Sequence, residues 1–296
     1  MAQQLDLFND SRDVGLRNDL ASALLAGDTA AARQACTSLR AEFGDDHVLA
    51  PAHTLVAQLD WLQSTATPGR LDLDTLLQAR QRLQGPLAAA ATTVMGPQRA
   101  PAWLAEQWCW LAEQASGITW HPARADAHAA ALFVCAQAWP KAAQAVAGIE
   151  SWRLIPQPLL WMTLARWHQD GADAAWPLLA EALWLAPARA AALLPVLGDT
   201  RLNKLVARFE EHFDPAAGAG SDWAWLPAYA LVDQPLLAGP LAPATSATPS
   251  PAVEAFAVVM ALLRLERQGL QREIVTHRAR LKALSDTLFK AYMATR

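Results

Sequence analysis

Apolar residues recur at helical spacing along this chain and break at Gly and Pro, and no segment alternates β-branched with polar residues long enough to make a strand. That pattern confines the fold to the all-α class. Much of the apolar content is Ala and Leu, both strong helix formers. A first helix is expected from a cap at Asp10 or Ser11 to about Ala26, with Val14, Leu16, Leu20, Ala23 and Leu24 on its apolar side. Gly27-Asp28 turns the chain into a second helix to about Phe43, and a third follows to about Leu62, with Ser64 to Arg70 as a loop. Further helical patterns lie near 72–84, 101–115, 122–138, 140–148, 158–169, 172–186 and 199–212. Several open on a proline (Pro101, Pro122, Pro140, Pro158) at the first helical position, where a missing N–H costs nothing.

With 296 residues and 53% hydrophobic content the chain can bury a substantial core, as one elongated unit or two small domains. Only 18% of residues are charged, so the solvated faces are thin. A net charge of −4 supplies no general attraction to nucleic acid. Cys36, Cys109 and Cys135 fall inside helical patterns without CxxC spacing, which points to buried, reduced thiols in a reducing compartment. The start, Met1-Ala2-Gln3-Gln4-Leu5-Asp6, has neither the basic region nor the apolar stretch of a secretory signal. No apolar run is long enough to span a bilayer. A cytoplasmic protein without a membrane partner is expected.

Asp170 to Pro187 reads DGADAAWPLLAEALWLAP, with small Ala175, bulky Leu179, small Ala182 and terminal Pro187. This spacing resembles the second helix of the tetratricopeptide repeat, where small residues admit the neighbouring helix and Pro ends the unit. Gly27 to Gly44 shows it more weakly, through Ala32, Cys36 and Leu39. The repeat's first-helix Trp-Leu-Gly-Tyr pattern is absent from both, and no period of 34 runs through the chain. The resemblance covers about a third of the chain and implies a degenerate array of antiparallel helical hairpins, a tetratricopeptide-like α-solenoid over residues 11–213.

After residue 213 the texture changes. Asp214 to Ser221 is a Gly/Ala break, and a short Trp-rich piece (Trp223, Trp225, Tyr229) follows. Gln234 to Pro251 (QPLLAGPLAPATSATPSP) carries no charge and is expected to run over the surface without regular structure, making 214–252 an irregular linker. Residues 253–296 read as a helical hairpin turning near Gly269, whose Phe256, Val259, Leu262, Leu263 and Leu265 require burial. Its eight Lys and Arg after residue 260 could draw nucleic acid only weakly, because they alternate with Leu, Ile and Glu as on an ordinary solvated face, without interleaved aromatics.

Within the tail at 1–10, Gln4-Leu5-Asp6-Leu7-Phe8 closely resembles the pentapeptide by which bacterial DNA polymerases and repair proteins dock onto the sliding clamp. The resemblance implies that Gln4 hydrogen-bonds at a pocket rim while Leu5, Leu7 and Phe8 fill apolar subsites. The same apolar residues precede a helix cap, where they can instead fold back on the first turn as a hydrophobic staple. Both readings stay open at this point.

Thirteen Trp against two Tyr is an unusual ratio. Trp103, Trp110, Trp161 and Trp176 are candidates for a peptide groove, since exposed aromatics on a helical array make anchors; the alternative is that they fill space left by Ala. No catalytic residues, metal ligands or cofactor site are expected. The seven His never pair at helical zinc spacing, and neither a GxSxG turn nor a phosphate-cradling Gly-rich loop occurs. The chain therefore reads as a non-enzymatic protein-binding adaptor, with the sliding clamp as a candidate partner. The rivals are a structural subunit of a larger complex and an enzyme whose site leaves no local motif.

Overall fold

The computed structural model describes residues 12–65, 71–213, 221–246 and 248–296. Among these, all regular structure is helical and no strand occurs, so the class is all-α. The chain divides into two compact units, 1–138 and 139–296. This boundary differs from the expected partition into an array to 213 and a separate hairpin from 253.

In the first unit, α1 (Arg12–Leu25) and α2 (Thr29–Glu42) form a hairpin around Gly27, whose φ of +68° suits a residue without Cβ. The Asp28 carboxylate caps α2 by accepting from the Ala31 N–H at 2.9 Å. Next come α3 (Leu49–Thr65), α4 (Leu73–Gln84), α5 (Pro86–Met95) and α6 (Ala100–Gln114). A 3-10 turn, Pro122–Ala127, then leads into the short α7 (Ala129–Cys135). Small residues let these helices approach: Ala32, Ala52, Ala91 and Ala112 have no exposed surface, and Leu20, Leu39, Leu55 and Leu76 fill the space between them. Each fully buried Leu contributes about 1.5–3 kcal/mol.

The turn between α2 and α3 is held by one carboxylate. Asp46, 2% exposed, accepts from Arg17 Nε of α1 at 2.9 Å and from the Val48 N–H at 2.9 Å. Burial pushes the Asp46 carboxyl up, but the Val48 N–H and the Arg17 guanidinium together outweigh it and hold the group below its ordinary range.

In the second unit, α8 (Trp139–Ala147), α9 (Pro156–Asp170) and α10 (Ala172–Leu185) pack in sequence, with Gly171 at φ +88° between the last two. Ala175, Leu179 and Ala182 of α10 are at most 1% exposed. The short α11 (Pro187–Ala191) and the amphipathic α12 (Thr200–His212) follow, the latter capped by Asp199. Then comes α13 (Leu226–Asp233), in which every residue from Leu226 to Val232 is buried, against α10, α12, α15 (Pro251–Gln268) and α17 (Asp286–Ala294). Gly269, at φ +72°, turns α15 into α16 (Gln271–Leu284). Buried Tyr292 of α17 donates to Glu266 of α15, which also accepts from Arg296 Nε at 2.9 Å, while Arg278 of α16 donates to the Tyr292 hydroxyl at 3.2 Å. One carboxylate thus ties three helices.

Several expectations are corrected here. The span 214–252 is no linker throughout: α13 and a one-turn α14 (Ala238–Leu241) lie in it, with Leu237 and Leu241 buried. Pro235 and Pro240 sit in first turns, where a missing donor is harmless, and the adjoining leucines anchor the chain. The C-terminal hairpin is a three-helix segment, because Ser285 caps α17 by accepting from the Leu288 N–H at 3.1 Å. Of the three thiols only Cys36 is buried; Cys109 is half-buried and Cys135 exposed, and none forms a disulfide. Pro158 is the third residue of α9, whose first is Pro156. The cap at Asp10 or Ser11, most of the Ser64 to Arg70 loop and the Gly/Ala break at 214–220 lie outside the described residues.

Two outcomes follow from this packing. Ala175→Trp overpacks the buried face of α10 and should destabilise by about 1–3 kcal/mol, read as a lower Tm. Asp46 has its folded pKa below the unfolded value of about 3.9, so its contribution is complete above that value and is lost as pH falls through the depressed pKa. Asp46→Asn should cost about 1–3 kcal/mol at pH 7, with the gap to the native chain closing below about pH 4. A gap independent of pH would show that the carboxylate charge contributes nothing.

Candidate functional site

The four tryptophans proposed from sequence do not form an exposed aromatic groove. Trp103 (1% exposed), Trp161 (7%) and Trp176 (4%) are core residues. Trp110 is half-buried, edge-on to Trp61 with ring centroids 5.2 Å apart. Trp176 likewise packs edge-on to Trp167 at 5.9 Å. The rings fill volume that the many alanines leave open, which is why helices so poor in large side chains still close-pack. Gln4, Leu5, Leu7 and Phe8 lie outside the described residues.

The described ionisable groups mostly serve the fold. No group of three His, Cys, Asp or Glu is placed to hold a metal ion among the described residues. His128 is buried, accepts the Ala130 N–H on Nδ1 at 3.2 Å as the cap of α7, and has its pKa lowered by that burial. His168 stacks on Trp139 at 4.5 Å, and His212 lies beside Tyr229 with Nδ1 3.3 Å from the hydroxyl. The Cys36 thiol is pushed up by burial, against a smaller opposing pull from Arg40, which leaves it a poor nucleophile.

Two concave places in the second unit bear on function. The first is a recess of about 330 Å³ beside α10, lined among others by Arg153, Glu181, Trp184, Thr245 and Ser246. Glu181 is the one charge of α10 after Asp173, and it is 5% exposed. Arg153 grips it with two bonds, Nε at 2.5 Å and Nη2 at 2.7 Å, and this pairing raises the guanidinium pKa against the opposing effect of burial. Its remaining acceptor capacity takes the Thr245 N–H at 2.9 Å and the Thr245 hydroxyl at 3.3 Å. A carboxylate so saturated is neither a general base nor a nucleophile; it straps the coil after α14 onto α10. Trp184 offers the recess an apolar ring, and its buried indole N–H has no acceptor among the described residues.

The second is an open trough of about 680 Å³ between α14 and α15. Its floor is small and apolar, with Ala238, Gly239 and Ala242 on one side and Phe256, Ala257 and Met260 on the other. Arg264, Arg267 and Gln268 border the end nearest Gly269. A neighbouring depression past Ala257 is lined by Pro249, Ser250, Pro251, Val253 and Glu254, the last paired with Arg280. Leu236, in the turn leading into α14, is 89% exposed.

Sequence reasoning missed both places. The lone Glu181 in an otherwise apolar helix was the available signal for the first, and the Ala257–Ala261 step on one face of α15 for the second. Comparison of the chain with protein-family models, with curated proteins and with solved structures finds no match.

The strap is testable. Glu181→Ala strands part of the Thr245 backbone and frees Arg153, which is about half exposed and can turn to water, so a cost of about 1–3 kcal/mol is expected. A broad-specificity protease should then cut within 242–250 before it cuts elsewhere. Unchanged cleavage would show that the coil is held by Leu237 and Leu241 alone.

Proposed function

We propose that this chain is a non-enzymatic helical scaffold that binds other proteins. The observation that supports it most directly is the open, apolar trough along α15, bordered by guanidinium groups. Its shape and lining suit a macromolecular surface better than an enclosed small substrate. The saturation of Glu181, Asp46 and Glu266 by structural partners favours the same reading, because the carboxylates nearest the core are committed to holding helices together. The tetratricopeptide-like spacing of Ala175, Leu179 and Ala182 adds the kinship that such scaffolds commonly have.

The proposal extends to the tail. Gln4-Leu5-Asp6-Leu7-Phe8 recruits the scaffold to a bacterial-type sliding clamp, with Leu7 and Phe8 supplying affinity and Gln4 setting direction. A short peptide suits this role, because a few apolar anchors supply most of the affinity of such an interaction.

A titration with purified sliding clamp and a melting curve test it together. Replacing Leu7 and Phe8 by Ala should abolish clamp binding and leave Tm nearly unchanged. A staple folded onto α1 predicts the reverse, with no binding to lose and a destabilisation of up to ~2–5 kcal/mol per fully buried side chain.

A further inference from the structure

We infer that the trough between α14 and α15 docks an acidic amphipathic helix of a partner protein. This rests on the scaffold reading and names the chemistry of what is held. The argument starts from α15. Phe256, Met260 and Arg264 are four residues apart and Arg267 follows three later, so they share one face of the helix. Phe256 is 8% exposed and packs edge-on to Trp184 at 5.1 Å, so the accessible apolar part of this side of the helix is Ala257 and Met260, with the cationic residues at its end.

The opposite wall is made of the smallest residues available. A Cβ added to Gly239 meets nothing within 4 Å, so the wall is open to whatever lies in the trough rather than filled by the fold. Small walls let a helix backbone come close, and Met260 supplies an unbranched, adaptable contact for an apolar stripe. The trough and the neighbouring depression past Ala257 follow α15, which at 18 residues is about 27 Å long, room for a partner helix of four to five turns.

Charge selects the partner's sign. Most arginines of this unit are engaged: Arg153 with Glu181, Arg208 with Asp233, Arg280 with Glu254, and Arg278 and Arg296 with Glu266. Arg264 and Arg267 make no ion pair or hydrogen bond to any described residue, and both are exposed. Two guanidinium groups with no partner among the described residues, at the end of an apolar trough, complement carboxylates flanking an apolar stripe. A basic helix would meet like charge there.

The probe is a fluorescein-labelled 18-residue helical peptide with Leu at helical spacing and Glu on both flanks, with a Lys-for-Glu version and a scrambled version as controls. Anisotropy with the full chain should show the Glu peptide binding about tenfold more tightly than the Lys peptide at low salt, a preference that shrinks as salt rises. Arg264→Glu with Arg267→Glu should invert the preference. Gly239→Leu should retain Tm and helical circular dichroism, because the position is open, yet weaken the Glu peptide at least about tenfold by filling the trough. If that variant misfolds, Ala257→Glu at an exposed floor position replaces it, with the same loss expected.

Equal binding of all three peptides, no binding, or indifference to the arginine reversal would overturn the inference. So would a concentration-dependent dimer of the native chain that Gly239→Leu dissolves, since the occupant would then be a second copy. Loss of the groove result with clamp binding intact removes this inference alone; loss of both removes the scaffold reading.

Discussion

A helix with no polar face has to be enclosed, and α13 imposes that requirement on the second unit. Its seven consecutive buried residues, Leu226 to Val232, leave no side for water, so α10, α12, α15 and α17 are arranged to cover it. Much else follows from that enclosure. The hydrophobic sides of α15 and α17 face inward toward one element, and the outer side of α15 is left to form the wall of the trough. The polar ties among Glu266, Tyr292, Arg278 and Arg296 then fix the three C-terminal helices to one another after burial has brought them together.

The same helix explains what the sequence did not show. Amphipathic helices announce themselves by period, and α2, α4, α9, α10 and α12 appear within one or two residues of where periodicity puts them. α13 has no period to detect: Leu-Pro-Ala-Tyr-Ala-Leu-Val is apolar on all sides, short, and set between two Pro/Gly-rich stretches. α5, a run of Ala and Thr after Gly85-Pro86, was invisible for a related reason, its stripe being too weak in bulk. Thr245 was unreadable because its role depends on a carboxylate 64 residues away, and no local pattern carries that distance. Trp103, Trp161 and Trp176 looked like anchors because residue type is visible in a sequence and burial is not.

With only 18% of its residues charged, the chain uses its ions with economy. Asp46 organises a turn, Glu181 a coil and Glu266 a helix junction, each by satisfying several donors at once rather than one. A multiply bonded carboxylate holds its geometry, whereas an exposed single pair contributes little. Arg264 and Arg267 differ in lining the trough while making no ion pair with any described residue.

The bond from Thr245 to Glu181 also bears on the order in which the second unit assembles. Three of its larger helix contacts, α8 with α9, α9 with α10, and α15 with α16, join chain neighbours across connections of eight residues or fewer, so those pairs close small loops. The Thr245–Glu181 bond closes a loop of 64 residues, at an entropic cost that grows with the logarithm of that length. Until it closes, Glu181 stands on α10 with only Arg153 for a partner, and the coil before α15 is free to move. The strap is therefore a late event in folding, and mutations in it should quicken unfolding while leaving the rate of folding nearly untouched.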